Sequence, residues 1–346
     1  MKFKIVAFLT AAFVFATAFA IFFETKTSAK NASELAALLP ASEMVVTMDG
    51  QKTFNTALPQ VLSGNKEMLD EFNAKIDSFK TKFGIDARQF EEVAVGANAK
   101  QISANKTEIE PFVLARGAFD SAQMVAAAKL YSKGKFKEEK IGSRTIYIFK
   151  ISEVAPQDNS QNKSSFIYKT LDKLLASISD EIAITVYDSS TLAFGTAARV
   201  REAFKNEKVR VSAEVLALGT RNPNAVINFG GKMPKGAGMF LPLDNDELGK
   251  TIDSINRFSG SLDIADGKTN LFVMGKTLTQ DDAQALYDLA DIMKTLGKMA
   301  LGGNKSADKQ VYARMLENAT ITRNGTEVSL DLDVPQSDID ILVGKK

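Results

Sequence analysis

Residues 319 to 334 read Ala319-Thr320-Ile321-Thr322-Arg323-Asn324-Gly325-Thr326-Glu327-Val328-Ser329-Leu330-Asp331-Leu332-Asp333-Val334. From Glu327 onward polar and apolar residues alternate without a break, the period-two pattern of a strand with one face buried and the other wet. The run before it, Ala319 to Arg323, is joined to it through Asn324-Gly325, a pair favoured in tight antiparallel turns. The chain therefore closes on a hairpin whose Val328, Leu330, Leu332 and Val334 require a core to receive them.

Upstream of this hairpin the second half reads as a strand at Val226–Lys232, a helix containing Ile252-Asp253-Ser254-Ile255, a strand at Phe272–Lys276 and a helix capped at Thr279 with Asp282 three residues on. The first half carries a similar series. A short Ala/Leu-rich helix from Asn31 is stopped by Pro40, and Met44–Met48 is a strand. Lys66 to Phe83 spaces Met68, Leu69, Phe72, Ile76, Phe79 and Phe83 at three- and four-residue steps, an amphipathic helix ended by Gly84. Val93–Gly96 and Phe112–Arg116 form a hairpin around a polar loop from Lys100 to Glu110, and Asp120 or Ser121 caps the next helix. A second hairpin turns near Gly142-Ser143, and its return strand Thr145–Phe149 is apolar on both faces, as a covered strand is.

The first half thus runs strand, helix, strand, strand, helix, hairpin, and the second is read in the same order. The expected fold class is α+β: two similar units of mainly antiparallel sheet with helices on one face, an internal duplication being one reading and chance likeness of amphipathic segments the other. The units span residues 31–151 and 224–346. Residues 152–223 hold a Pro/Asn/Gln/Ser-rich linker or surface loop (Ser152 to Ser165), a helix from Phe166 to Ile178, the hairpin Ile182–Gly195 and a helix from Ala197, which extend one sheet or bridge both.

Residues 1–30 are read apart from the fold. Met1-Lys2-Phe3-Lys4 precedes an uncharged, mostly apolar run from Ile5 to Phe23, and Glu24-Thr25-Lys26 follows. Basic flank, apolar run and polar exit come in the order of an export signal, and the run is just long enough to span a bilayer. Cleaved signal peptide and retained transmembrane anchor are both open, and either places the body outside the cytoplasm.

Composition removes several chemistries. The 346 residues contain no Cys and no His, so zinc sites built on those ligands, Ser-His-Asp and Cys-His catalysis, and thiol redox work are excluded. No cofactor or metal is expected. A net charge of +1 gives no long-range field to draw nucleic acid, which is not expected as a partner.

No local motif names a reaction. Ser63-Gly64-Asn65-Lys66 and Ser306-Ala307-Asp308-Lys309 have the Ser-x-x-Lys spacing of some acyl enzymes, but lack supporting motifs and read as helix caps. Asp244-Asn245-Asp246-Glu247 suits a helix start better than a calcium loop. Gly230-Gly231-Lys232 lacks the rest of a phosphate loop and reads as a strand exit. Lys133, Lys135, Lys137 and Lys140, mixed with Glu138 and Glu139, form a solvated charged face or a membrane-surface contact. With 23 Phe and 11 Met the chain is well supplied for a core or an apolar pocket; Met233, Met239 and Phe240, in a Gly/Pro-rich stretch, are the candidate apolar ligand or interaction residues.

Leu39-Pro40-Ala41 before the first strand, and the closing Val328-Ser329-Leu330-Asp331-Leu332-Asp333-Val334-Pro335, resemble uncharacterised exported bacterial α+β proteins of unknown function. The resemblance implies no activity and no site residues. The expected function is non-enzymatic: an extracytoplasmic protein, periplasmic or membrane-tethered through its N-terminal segment, that binds another protein or an envelope component. The alternative is a carrier or sensor of an apolar, lipid-like ligand held between the two units.

Overall fold

The computed structural model describes residues 32–83, 86, 88–103, 106–154, 179–234 and 246–344. The expected export segment, most of the expected linker, the helix at Phe166–Ile178, and Met239 and Phe240 lie outside these residues. Among the described residues no helix is long and apolar enough to cross a membrane.

The chain runs α1 (Ala32–Ala36), β1 (Met44–Asp49), α2 (Gly50–Lys52), a π-helical stretch (Thr53–Ala57), α3 (Leu58–Val61), α4 (Lys66–Phe83), β2 (Phe90–Ser103), β3 (Lys106–Gly117) and α5 (Ser121–Tyr131). It continues through β4 (Lys137–Ile141), β5 (Arg144–Lys150), α6 (Ile151–Val154), β6 (Glu181–Asp188), β7 (Thr191–Thr196), α7 (Ala197–Lys205) and α8 (Ala213–Gly219). The remainder is β8 (Ile227–Lys232), α9 (Asp246–Asp253), β9 (Ile255–Ala265), β10 (Lys268–Thr277), α10 (Gln280–Leu301), α11 (Ala307–Asn318), β11 (Thr320–Asn324), β12 (Glu327–Pro335) and α12 (Gln336–Val343).

The twelve strands of the described residues belong to one antiparallel sheet, ordered β11-β12-β10-β9-β8-β1-β2-β3-β7-β6-β5-β4. The sheets expected of the two units are continuous through a seam between β1 and β8, where Val45 lies opposite Gly230 and Thr47 opposite Asn228. The hairpin β6–β7 extends the sheet by inserting between β3 and β5.

Helices cover both faces rather than the expected one. Alternate residues of β2 and β3 point to opposite sides, and both sides are apolar, so one helical layer would leave the other face wet. Val93, Val95, Val113 and Ala115 join Met48, Leu262 and Leu332 in a cluster that includes Ala57 and Val61 of the π-helix and α3, Met124 and Val125 of α5, and Ile339 of α12. Ala94, Phe112 and Leu114 join Val45 in a second cluster with Leu35 and Ala36 of α1, Val200 and Phe204 of α7, and Val215 of α8.

Three further expectations need correction. The polar stretch expected as a loop from Lys100 to Glu110 is mostly ladder: Asn98 pairs with Glu110 and Lys100 with Glu108, and its polarity reflects strands projecting into water. The helix expected to contain Ile255 ends at Asp253, because Ile255 opens β9 and pairs with Thr277. The closing turn falls one residue later than expected. Asn324 pairs with Glu327, leaving Gly325-Thr326 as the loop, and Gly325 alone has a positive φ of 59°, as a type II′ turn requires.

Candidate interaction surface

The site is built on the sheet's polar face at its β11 end. Register carries the α8-facing side outward from the seam: Asn228 is opposite Ser261, Ser261 opposite Phe272, and Phe272 opposite Asp331. Near the seam this side is covered by α8. Gly230 admits α8 because a Cβ there would stand 2.5 Å from the Leu218 carbonyl, and Thr47 Oγ1 donates to the Gly219 carbonyl at 3.1 Å. The cover thins at β10, where the Arg221 guanidinium stacks 5.0 Å from the Phe272 ring centre.

Beyond Phe272 the face is solvated and acidic. Asp331 and Asp333 are exposed, and Asn270 Nδ2 donates to both carboxylates at 3.0 Å, fixing them side by side. Lys276 pairs with Glu327 at 3.1 Å, and the Thr322 and Ser329 hydroxyls bond at 2.8 Å. Thr320, Thr322 and Asn324 of the edge strand β11 continue the same side and are exposed. The alternation of Glu327–Val334 showed that this strand had a wet face; that Asn270 would sit opposite Asp333 depends on a long-range register no local pattern reveals.

Those residues singled out from the sequence that are described lie apart from one another and from this face. Met233 is half-buried just past β8, its N–H donating to the Asn256 carbonyl at 3.0 Å. Ser63 is not the cap of α4: Asn65 Oδ1 accepts from Met68 N at 3.0 Å, and Ser63 Oγ donates to Asp340 of α12 at 3.1 Å. Ser306 occupies the cap position of α11, with its hydroxyl turned to the Asp308 carboxylate. Asp246 and Glu247 lie in the first turn of α9. Gly230 and Gly231 lie within β8, where Gly231 lets the Glu43 carbonyl approach.

The lysine-rich hairpin is a solvated edge. On β4, Glu138 pairs with Lys129 at 3.1 Å and Glu139 with Arg201 at 2.8 Å, the guanidinium holding the Glu139 carboxyl below its usual range. Charges on an outer strand discourage edge-to-edge pairing. A surface hollow of about 440 Å³ beside Gly302, Asn304, Lys305, Gln310 and Arg314 is open to solvent. Among the described residues no cluster of His, Cys, Asp or Glu is arranged to hold a metal.

Sequence reasoning also missed Glu92. It lies on the α1-facing side of β2, 6% exposed, and neither carboxylate oxygen has a hydrogen-bond partner. Arg116 Nη1 is 3.8 Å away. Burial, outweighing the attraction of Arg116, raises its pKa to about 7, with Asp49, Glu34 and Glu91 adding to the rise. In the sequence Glu91-Glu92 is an acidic pair entering a strand, and nothing local tells which of the two turns inward.

No protein-family model matches the chain, and no curated protein matches it. Among solved structures, crystal form I of TP0453, from Treponema, is similar at 10% identity over 92% of this chain and 100% of that one, with a TM-score of 0.37. Crystal forms III and IV of the same protein give 10% and 9% identity, 92% of this chain against 99% and 98% of theirs, and a TM-score of 0.41 in each case.

Proposed function

We propose that this chain is a non-enzymatic, extracytoplasmic interaction protein that presents the acidic sheet face around Asn270, Asp331 and Asp333 to a partner protein carrying basic side chains. The observation that carries the reading is the pair of exposed carboxylates held side by side by one amide. Such a pair is pre-organised for the planar fork of an arginine or for two lysines, so little ordering is needed on binding. With a net charge of only +1, attraction to a basic partner must come from this local patch. The N-terminal segment supplies the extracytoplasmic part of the proposal, through export or tethering.

The test places a photo-crosslinking residue at Thr322, on the rim of the patch, in cells producing the full chain. A discrete adduct that fades with salt and is absent from an Asp331→Lys, Asp333→Lys variant of unchanged melting temperature supports the reading. An adduct indifferent to both changes, or no adduct, overturns it.

A further inference from the structure

The helix α1 is held at its two ends by opposite means. Its C-terminal exit is pinned: Val211 N donates to the Leu39 carbonyl at 3.1 Å, Pro40 bridges to Arg210, and the buried Arg199 donates to the Ala41 carbonyl at 2.8 Å and to Ser42 Oγ at 3.1 Å. Its N-terminal turn carries Glu34, which, like Asp49 and Glu91, lies within Coulombic range of Glu92. Leu35 and Ala36, wholly buried, pack on the same side of the sheet with Val45 and Ala94.

We propose that Glu92 and the carboxylates around it form a proton-controlled latch on α1, so that proton loss lets α1 swing from the sheet about Pro40–Ser42. The charged groups within Coulombic range of Glu92 are Glu34 from α1, Asp49 from β1, Glu91 beside it on its own strand and Arg116 from β3. Arg116, 3.8 Å from Glu92, is the cation that attracts it, and the same guanidinium donates to Thr191 Oγ1 at 3.3 Å. Lys52 is committed elsewhere, its Nζ donating to the Asn224 carbonyl at 2.5 Å. A protonated Glu92 is a neutral group under an apolar lid. An ionised one has no hydrogen-bond donor in the closed state, and water reaches it only when α1 lifts.

The sign follows from which state holds the proton. Closed, the carboxyl keeps its proton up to about pH 7; open, it loses it near the ordinary value of 4.5. The open fraction therefore rises between these limits and levels off above them, by on the order of a hundredfold across the window. Below the window the latch is shut most firmly.

The test is hydrogen exchange of the full chain between pH 4.5 and 8.5, corrected for intrinsic rates, with amides of residues 35–39 compared with those of β3. The expected result is protection of α1 below that of β3 at every pH, falling from pH 4.5 to 7 and then flat. In Glu92→Gln, which keeps the shape but cannot ionise, α1 protection should stay at the low-pH level throughout. Glu34→Gln, an exposed change, should shift the fall to lower pH. The latch is overturned if wild-type α1 shows no fall, if Glu92→Gln shows the same fall, or if α1 and β3 are equally protected at every pH, which would leave only global unfolding.

Discussion

Arg199 is 1% exposed, yet its guanidinium ties α7 to the loop before β1 through Ala41 and Ser42 and pairs with Glu202 at 2.5 Å. An Arg199→Met variant keeps much of the packing volume but leaves the Ala41 carbonyl without that donor; the expected loss is about 2 kcal/mol, read from urea midpoints. Glu92 gives a prediction of opposite sign. Its carboxyl keeps a proton in the folded chain that the unfolded chain releases above about 4.5, so stability falls as pH rises from 4.5 to about 7 and is then level. The difference of 2.5 between 7 and 4.5, at 1.36 kcal/mol per unit, caps the penalty at about 3 kcal/mol. Glu92→Gln should therefore match the wild type near pH 4.5 and exceed it by about 2–3 kcal/mol at pH 8 in denaturant titrations. Equal midpoints at pH 8 would show that Arg116 satisfies the ionised form.

Elements differ in how openly the sequence declares them. The helix Lys66–Phe83 is found at its expected bounds, because a long amphipathic period between breakers is a purely local signal. The closing hairpin was equally open, and its loop yields a prediction: Gly325 sits at a φ of 59°, so Gly325→Ala should cost about 1 kcal/mol in thermal melts. The hairpin β9–β10 was legible but unread, since Asp266 and Gly267 both take positive φ, 52° and 72°, as the two central positions of a type I′ turn do. The second helical layer was not legible, because an apolar strand does not say which element covers which face. On α10, Ile292, Leu296 and Met299 recur at four- and three-residue steps and point to water, while Gly297 turns to Leu316 of α11. Leu296→Gln should accordingly change stability by no more than about 0.5 kcal/mol; a loss above 2 kcal/mol would mean the stripe is covered in the folded chain.

At the scale of the molecule, two series of strands that read as separate units share one sheet and its larger apolar cluster. The larger apolar cluster takes Met48, Phe90 and Val113 from the first series and Ile227, Leu262 and Leu332 from the second. The last helix crosses back, with Asn65 Nδ2 donating to the Val343 carbonyl at 2.7 Å and Ile339 buried in the shared cluster. Neither series can therefore lose its structure without exposing apolar surface of the other. The candidate face was only half legible for the same reason: its polar residues follow from the alternation of Glu327–Val334, but its neighbours follow from register across the sheet. Shared burial predicts a single cooperative unfolding transition, with coincident traces from far-ultraviolet circular dichroism and tyrosine fluorescence. Damage at the seam tests it most severely. Gly230→Val would drive its side chain into the Leu218 backbone, 2.5 Å from where its Cβ must lie, and should cost several kcal/mol by forcing α8 from β8. If the core couples the two series, calorimetry of that variant shows one peak at a lower temperature. If it shows two, the seam alone joined them, and the sequence reading of two similar units was the better description.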